Sequence, residues 1–190
     1  YTKKMNKTLF FLIVLMPLSL FAQSNMEEKK LTKFEEFSSR TGIIVKFVDI
    51  AMPNIPKRFM GNLESGIRTI KGGSSNSYFY RIEEAETSLN IAHIAMIEYS
   101  DLVEINRALT RLISEVDTDI ANNPDYLENK FKTVDGFEIG YYVSKGQTDN
   151  WYIKLERYSK STVFIKNKDV LVEAFSNAQK KIEELKAAEK

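Results

Sequence analysis

The sequence predicts an α+β domain: a largely antiparallel sheet of about six or seven strands, two helices packed on one face, and a shorter N-terminal helix at the edge. Three observations predict it. Short β-branched and aromatic runs alternate with Gly- and Asn-containing turns. Two longer stretches, 101–116 and 169 to the end, carry apolar residues at helical spacing. And a chain of 190 residues, 43% hydrophobic and 28% charged, has enough apolar material for one such core without a single cysteine to brace it.

The front of the chain reads as an export signal rather than as part of the domain. Lys3, Lys4 and Lys7 make a positive start, Leu9 to Met16 is unbroken apolar sequence, Pro17 interrupts it, and Ala22 offers a small residue for cleavage. Leu9 to Ala22 is 14 residues, short of the ~20 that a membrane span requires. The ending Leu20-Phe21-Ala22-Gln23-Ser24 resembles export signals common in Bacteroidota, a resemblance confined to this segment. The expected organisation is therefore a signal peptide at 1–22, with Met5 as initiator, and a single domain at 23–190 that is periplasmic or secreted. With the three leader lysines gone, 24 basic residues face 26 acidic ones, a net charge of −2. That balance gives no basis for nucleic-acid binding. No membrane span is expected after cleavage.

Within the domain, Asn25 to Ser39 predicts a helix, because Leu31, Phe34 and Phe37 recur along one side among Glu and Lys, and Thr41-Gly42 is a stop. Gly42 to Ile50 predicts a strand, and Pro53 and Pro56 a turn-rich connection. Then follow strands at 66–71, 78–83 and 88–98 and a helix from Asp101 to Val116, with Asp101 and Glu104 spaced as a capping box. The second half predicts strands at 136–143, 151–158 and 162–165, and a helix capped by Asp169. The shared order suggests two βββα repeats, 59–121 and 126–190. Ser65-Gly66-Ile67 parallels Asp135-Gly136-Phe137, and Tyr78 to Glu83 parallels Trp151 to Glu156.

Strand alternation then assigns faces. Phe137, Ile139, Tyr141 and Val143 belong with Trp151, Ile153 and Leu155 under the helices. Tyr142, Tyr152, Lys154 and Tyr158 fall on the opposite, wet face, and Phe79 and Arg81 hold the matching place in the first half. Tyr142 and Tyr152 are accordingly expected to be more exposed than Tyr141 and Trp151. Aromatic rings between cations suit recognition of a protein, peptide or glycan partner, since the rings supply contact area and the cations fix an anionic group. The simpler reading, which one wet face of an antiparallel sheet favours, is a solvated surface of cross-strand Lys–Glu pairs with tyrosines lying flat.

Other chemistries find little to build on. Thiol catalysis, disulfides and Cys-ligated metals lack their residue, and His93 is the only histidine. In its alternating apolar run it reads as a structural, hydrogen-bonded side chain. Asp117, Asp119, Asp125 and Glu128 sit at positions 1, 3, 9 and 12 of a calcium-loop pattern, but Ala121, Asn122 and Pro124 break it, leaving a helix end and a turn. Gly72-Gly73 lacks the Lys-Ser/Thr of a phosphate loop and leads into a strand. No cofactor or metal is expected. The sequence favours a non-catalytic, partner-binding protein of the cell envelope. The alternatives are a carrier with an apolar pocket between sheet and helices, and a hydrolase using paired carboxylates.

Overall fold

The β-branched and aromatic runs pair into two antiparallel sheets of four strands each, and three helices complete an α+β fold. The computed structural model describes residues 30–73, 75–85, 92–156 and 161–189. The expected signal peptide, residues 25–29 of the expected first helix, residues 88–91 of an expected strand, and Tyr158 lie outside the described residues. The described residues from Leu31 onward form one compact unit.

The first sheet follows chain order: β1 (Val45–Pro56), β2 (Asn62–Gly72), β3 (Ser75–Ala85) and β4 (Ala92–Glu98). α2 (Tyr99–Ala121) follows at once. The second sheet repeats the pattern with β5 (Tyr126–Lys132), β6 (Glu138–Ser144), β7 (Asn150–Lys154) and β8 (Val163–Phe164), then α3 (Lys168–Ala188). A six-residue helix, α1 (Lys33–Ser38), precedes them. The expectation of one sheet with six or seven strands is thus corrected to two four-stranded sheets. Their edges touch where Lys57 bridges Ile165 and the Arg58 N–H donates to the Phe164 carbonyl at 2.8 Å.

Two strand boundaries differ from expectation for identifiable reasons. Pro53 and Pro56 fall inside β1 instead of ending it, because β1 is an edge strand whose outer N–H groups need no partner, and the register slips between Met52 and Ile55. β5 is a strand that the sequence pattern does not announce: the chain turns at Asn123, whose φ is +47°, just before Pro124, and from Tyr126 onward pairs with β6. The expected three-strand unit is therefore four strands and a helix in each half. Arg81 pairs with Gly66, whereas Lys154 pairs with Glu138, so the two local sequence matches are out of register with each other by two residues.

Both long helices bury the stripes their spacing implies. Leu102, Ile105, Leu109, Leu112 and Val116 of α2, and Leu171, Phe175, Ala178 and Ile182 of α3, join the inward residues of both sheets in one core. Their caps differ from expectation. Glu98 caps α2 by accepting the Ser100 N–H at 2.7 Å, and Asn167 caps α3 by accepting the Val170 N–H at 3.1 Å. Asp101, not needed as a cap, is buried at the base of α2 and receives the Lys33 ammonium at 2.7 Å. Beyond α3, the Glu189 carboxylate accepts from the Tyr78 hydroxyl, from Asn76 at 2.7 Å and from Lys71 at 2.9 Å, fastening the C-terminal end to the β2–β3 hairpin. These donors hold the Glu189 carboxyl down at about 2. Burial and the facing carboxylate push the Tyr78 hydroxyl up to about 12.

The N-terminal helix does not lie at an edge. Phe34 and Phe37 meet Phe79 edge-on at 5.5 and 6.0 Å, so α1 covers part of the first sheet's outer face. Thr32 and Glu35 form its capping box, and the Asp135 carboxylate accepts its Lys33 N–H at 3.0 Å.

Candidate functional site

The residues singled out for the wet face separate into two places. Phe79, expected in solvent, is fully buried beneath α1. Arg81 stays on the outer face of the first sheet, ion-paired to Glu83, and lines an open cavity of about 330 Å³ with Asp49, Glu64 and Gly66. At Gly66 the neighbouring strand comes close: a Cβ there would lie 2.9 Å from the Ile50 carbonyl oxygen. Arg68 engages Asp49 through both carboxylate oxygens, at 2.7 and 2.6 Å, and its guanidinium holds the Asp49 carboxyl below its ordinary range. The cations of this face are thus already matched to carboxylates.

Tyr142, Tyr152 and Lys154 do gather on the outer face of the second sheet. Tyr142 is half-buried there, but Tyr152 is as buried as Trp151, each 2% exposed. The expected ordering of exposure therefore holds for Tyr142 and fails for Tyr152. The reason is local: the Tyr152 hydroxyl donates to Glu128 on β5, the strand absent from the sequence expectation. Burial and that carboxylate push the Tyr152 phenol well above its usual range.

Lys154 belongs to a charged cluster. Glu138, with a side chain only 9% exposed, receives Lys132 at 2.9 Å, Lys130 at 3.3 Å and Lys154 at 3.5 Å. Burial raises the Glu138 carboxyl, but the lysines outweigh it and the net shift is downward. A lowered carboxyl contributes stability above pH ~4.5 that is lost as pH falls through its folded value. Glu138→Gln is accordingly expected to cost about 1–2 kcal/mol at neutral pH, discounted because the lysines remain partly solvated. Denaturant titrations of the two proteins should converge on acidification. A gap unchanged from neutral to acid pH would show that the carboxylate's charge is irrelevant.

Beside this cluster runs a row of rings that sequence reasoning did not assemble. Tyr126 stacks on Tyr142 at 6.0 Å, Tyr142 meets Phe164 edge-on at 6.1 Å, and Phe164 meets Phe59 edge-on at 6.2 Å. The row crosses from β5 to the loop between β1 and β2. Its two ends stand in solvent, with Tyr126 62% and Phe59 82% exposed, and Met60 beside Phe59 is 85% exposed. Contiguous exposed apolar side chains of this kind mark contact surfaces more often than chance. An aromatic, Tyr126, just after the Pro124 turn, and adjacent Phe59-Met60 in a turn, were the available signals.

Among the described residues the rival readings find less support. The cavity between β1 and α3, lined by Met52, Tyr80 and Val170, measures about 160 Å³, below the ~300 Å³ usual for small-molecule sites. The described carboxyls with shifted values, Asp49, Glu115, Glu138 and Glu189, all move down, opposite to what a general acid at neutral pH requires. The calcium-like acids disperse: Asp119 accepts the Tyr141 hydroxyl at 2.5 Å from within α2, Glu128 takes Tyr152, and no metal-binding cluster occurs among the described residues. His93 Nδ1 lies 3.5 Å from a Glu156 carboxylate that also accepts the Ile94 N–H, an edge contact of β4. No helix among the described residues is long and apolar enough to cross a membrane. Compared with known protein families, curated proteins and solved structures, the chain matches none.

Proposed function

We propose that this is an exported, non-catalytic binding domain that works at the cell envelope, and that its contact surface is the aromatic row Tyr126–Tyr142–Phe164–Phe59. The observation that carries the reading is the row itself: four rings in sequence, two of them open to solvent, three carried by strands of the second sheet and Phe59 by the β1–β2 loop. Rings held by a sheet lose little freedom on binding, so their contact area converts efficiently into affinity. The export half of the proposal rests on the basic start, apolar core and Ala22 of residues 1–22. A duplication origin for the two halves belongs to the same proposal. Their common order of four strands and a helix supports it, although their local sequence matches disagree in register.

The test is sedimentation of the chain from Gln23 onward with isolated bacterial envelope particles. The unsubstituted protein is expected to sediment, and joint Tyr142→Ala and Phe164→Ala substitution should weaken this about tenfold or more. Failure to sediment, or sedimentation indifferent to both rings, defeats the proposal.

A further inference from the structure

A short loop closes the β1–β2 hairpin. Its five residues, Lys57-Arg58-Phe59-Met60-Gly61, put two large apolar side chains side by side in solvent. The loop is also locked. The Lys57 N–H donates to the Gly61 carbonyl at 3.1 Å, Gly61 takes a φ of +77° that favours glycine, and the Arg58 N–H is tied to Phe164 in the neighbouring sheet. The ordering that binding would otherwise demand is already complete.

Cations ring the base of the tip. Arg58 reaches back to the Asn150 side-chain oxygen, Lys57 pairs with Glu84 at 2.8 Å, and exposed Lys166 is placed there by its N–H contact with the Pro56 carbonyl at 3.4 Å. Glu84 is the only acid paired with this group among the described residues, and it is matched by Lys57. Behind the tip, Tyr142 and Tyr126 continue the apolar row with amphipathic rings.

Resting on the envelope-binding reading above, we infer that the partner is an anionic phospholipid surface, entered by Phe59 and Met60 with Arg58 and Lys166 at headgroup level. A protruding apolar pair needs a partner that deforms around it, which a fluid interface does and a folded protein surface does only through a preformed pocket. Cations just behind an apolar tip match the order in which an anionic leaflet presents phosphate and hydrocarbon, and tyrosines settle at that boundary.

The test is sedimentation of the chain from Gln23 onward with vesicles of phosphatidylglycerol and phosphatidylcholine, and with phosphatidylcholine alone. Binding should favour the anionic vesicles by roughly tenfold and weaken with salt. Joint Phe59→Ser and Met60→Ser substitution should reduce it by about tenfold or more, with no change in melting temperature because both side chains are in solvent. Ile44→Ser, which removes a 91% exposed apolar side chain just before β1, should leave binding unchanged. Absence of anionic-vesicle binding, indifference to the tip substitutions, or an equal loss with Ile44→Ser overturns the inference. If vesicles fail but envelope particles still bind through Tyr142 and Phe164, the lipid assignment falls and the broader reading stands, with a protein or glycan partner in its place.

Discussion

Gly140→Ala is expected to destabilise the protein by about 3 kcal/mol, lowering its melting temperature by roughly 6–12 °C. Gly140 sits at the centre of β6, opposite Lys130 of β5. A Cβ there would lie 2.3 Å from the Asn129 carbonyl oxygen, 2.7 Å from the Lys130 Cβ and 2.8 Å from its Cα. Two of those three neighbours are backbone and the third is fixed to it, so no rotamer change relieves the overlap. Either β5 must move off β6 or the pair must lose hydrogen bonds. Moving β5 would also carry Lys130 and Lys132 away from Glu138, and Glu128 away from Tyr152, so the outer face would suffer with the fold.

The comparison that gives this result meaning is Gly66→Ala. There the closest neighbour is a single carbonyl oxygen at 2.9 Å, with the next atoms at 3.6 and 3.7 Å, and a small shift of edge strand β1 suffices. About 1 kcal/mol is expected. Denaturant titration of the two variants checks both numbers. If Gly140→Ala costs no more than Gly66→Ala, then β5 is held loosely and the close approach of β5 and β6 has no structural importance.

How far the sequence disclosed this arrangement depends on which physical signal each element carries. The long helices were legible because their apolar stripes repeat over several turns, as Leu102, Ile105 and Leu109 show. The inward faces of β6 and β7 were legible from simple alternation, which placed Ile139, Tyr141, Trp151 and Ile153 correctly. β5 was not, because its inward series is Leu127, Asn129, Phe131, with a polar residue at the centre. Asn129 is tolerated there because its amide donates to Glu115 at 2.8 Å, a partner 14 residues away that no local pattern reveals. The outer faces failed for a related reason. Phe79 and Tyr152 alternate as wet-face residues should, but one is covered by α1 and the other is bonded to Glu128. Alternation states which side of a sheet a residue takes. It carries no information about what else lies on that side.

The same limit applies to the aromatic row. Its members come from the β1–β2 loop, β5, β6 and β8, and only the pairing of the strands brings them into line. Gly140 and the row are thus two consequences of one register. The glycine permits the approach of β5, and the approach sets Tyr126 against Tyr142.

Phe175→Ala should have the largest effect of any single truncation in the helices, about 3–5 kcal/mol. The ring is fully buried on α3 and meets Tyr80 of β3 edge-on at 5.4 Å. On its other side it meets Phe137, which leads into β6, at 5.8 Å. One side chain therefore touches both halves of the chain. Deleting it leaves a cavity that neither sheet can fill without moving relative to the other, whereas Phe175→Leu retains most of the volume and should cost no more than about 1.5 kcal/mol. The loss tests whether the halves are one cooperative unit. Trp151, the only tryptophan, is buried in the second sheet and reports on that half by fluorescence, while far-ultraviolet circular dichroism reports on both. If the shared core governs stability, the two probes of Phe175→Ala shift together to the same lower denaturant midpoint. If the halves are merely adjacent, the Trp151 transition separates from the dichroism transition, because removing their common ring uncouples two sheets that can each unfold alone. Coincident transitions would also bear on the alignment of the aromatic row: the loop bearing Phe59 belongs to the first sheet and Phe164 to the second, so shared packing on α3 reinforces the direct bond from the Arg58 N–H to the Phe164 carbonyl.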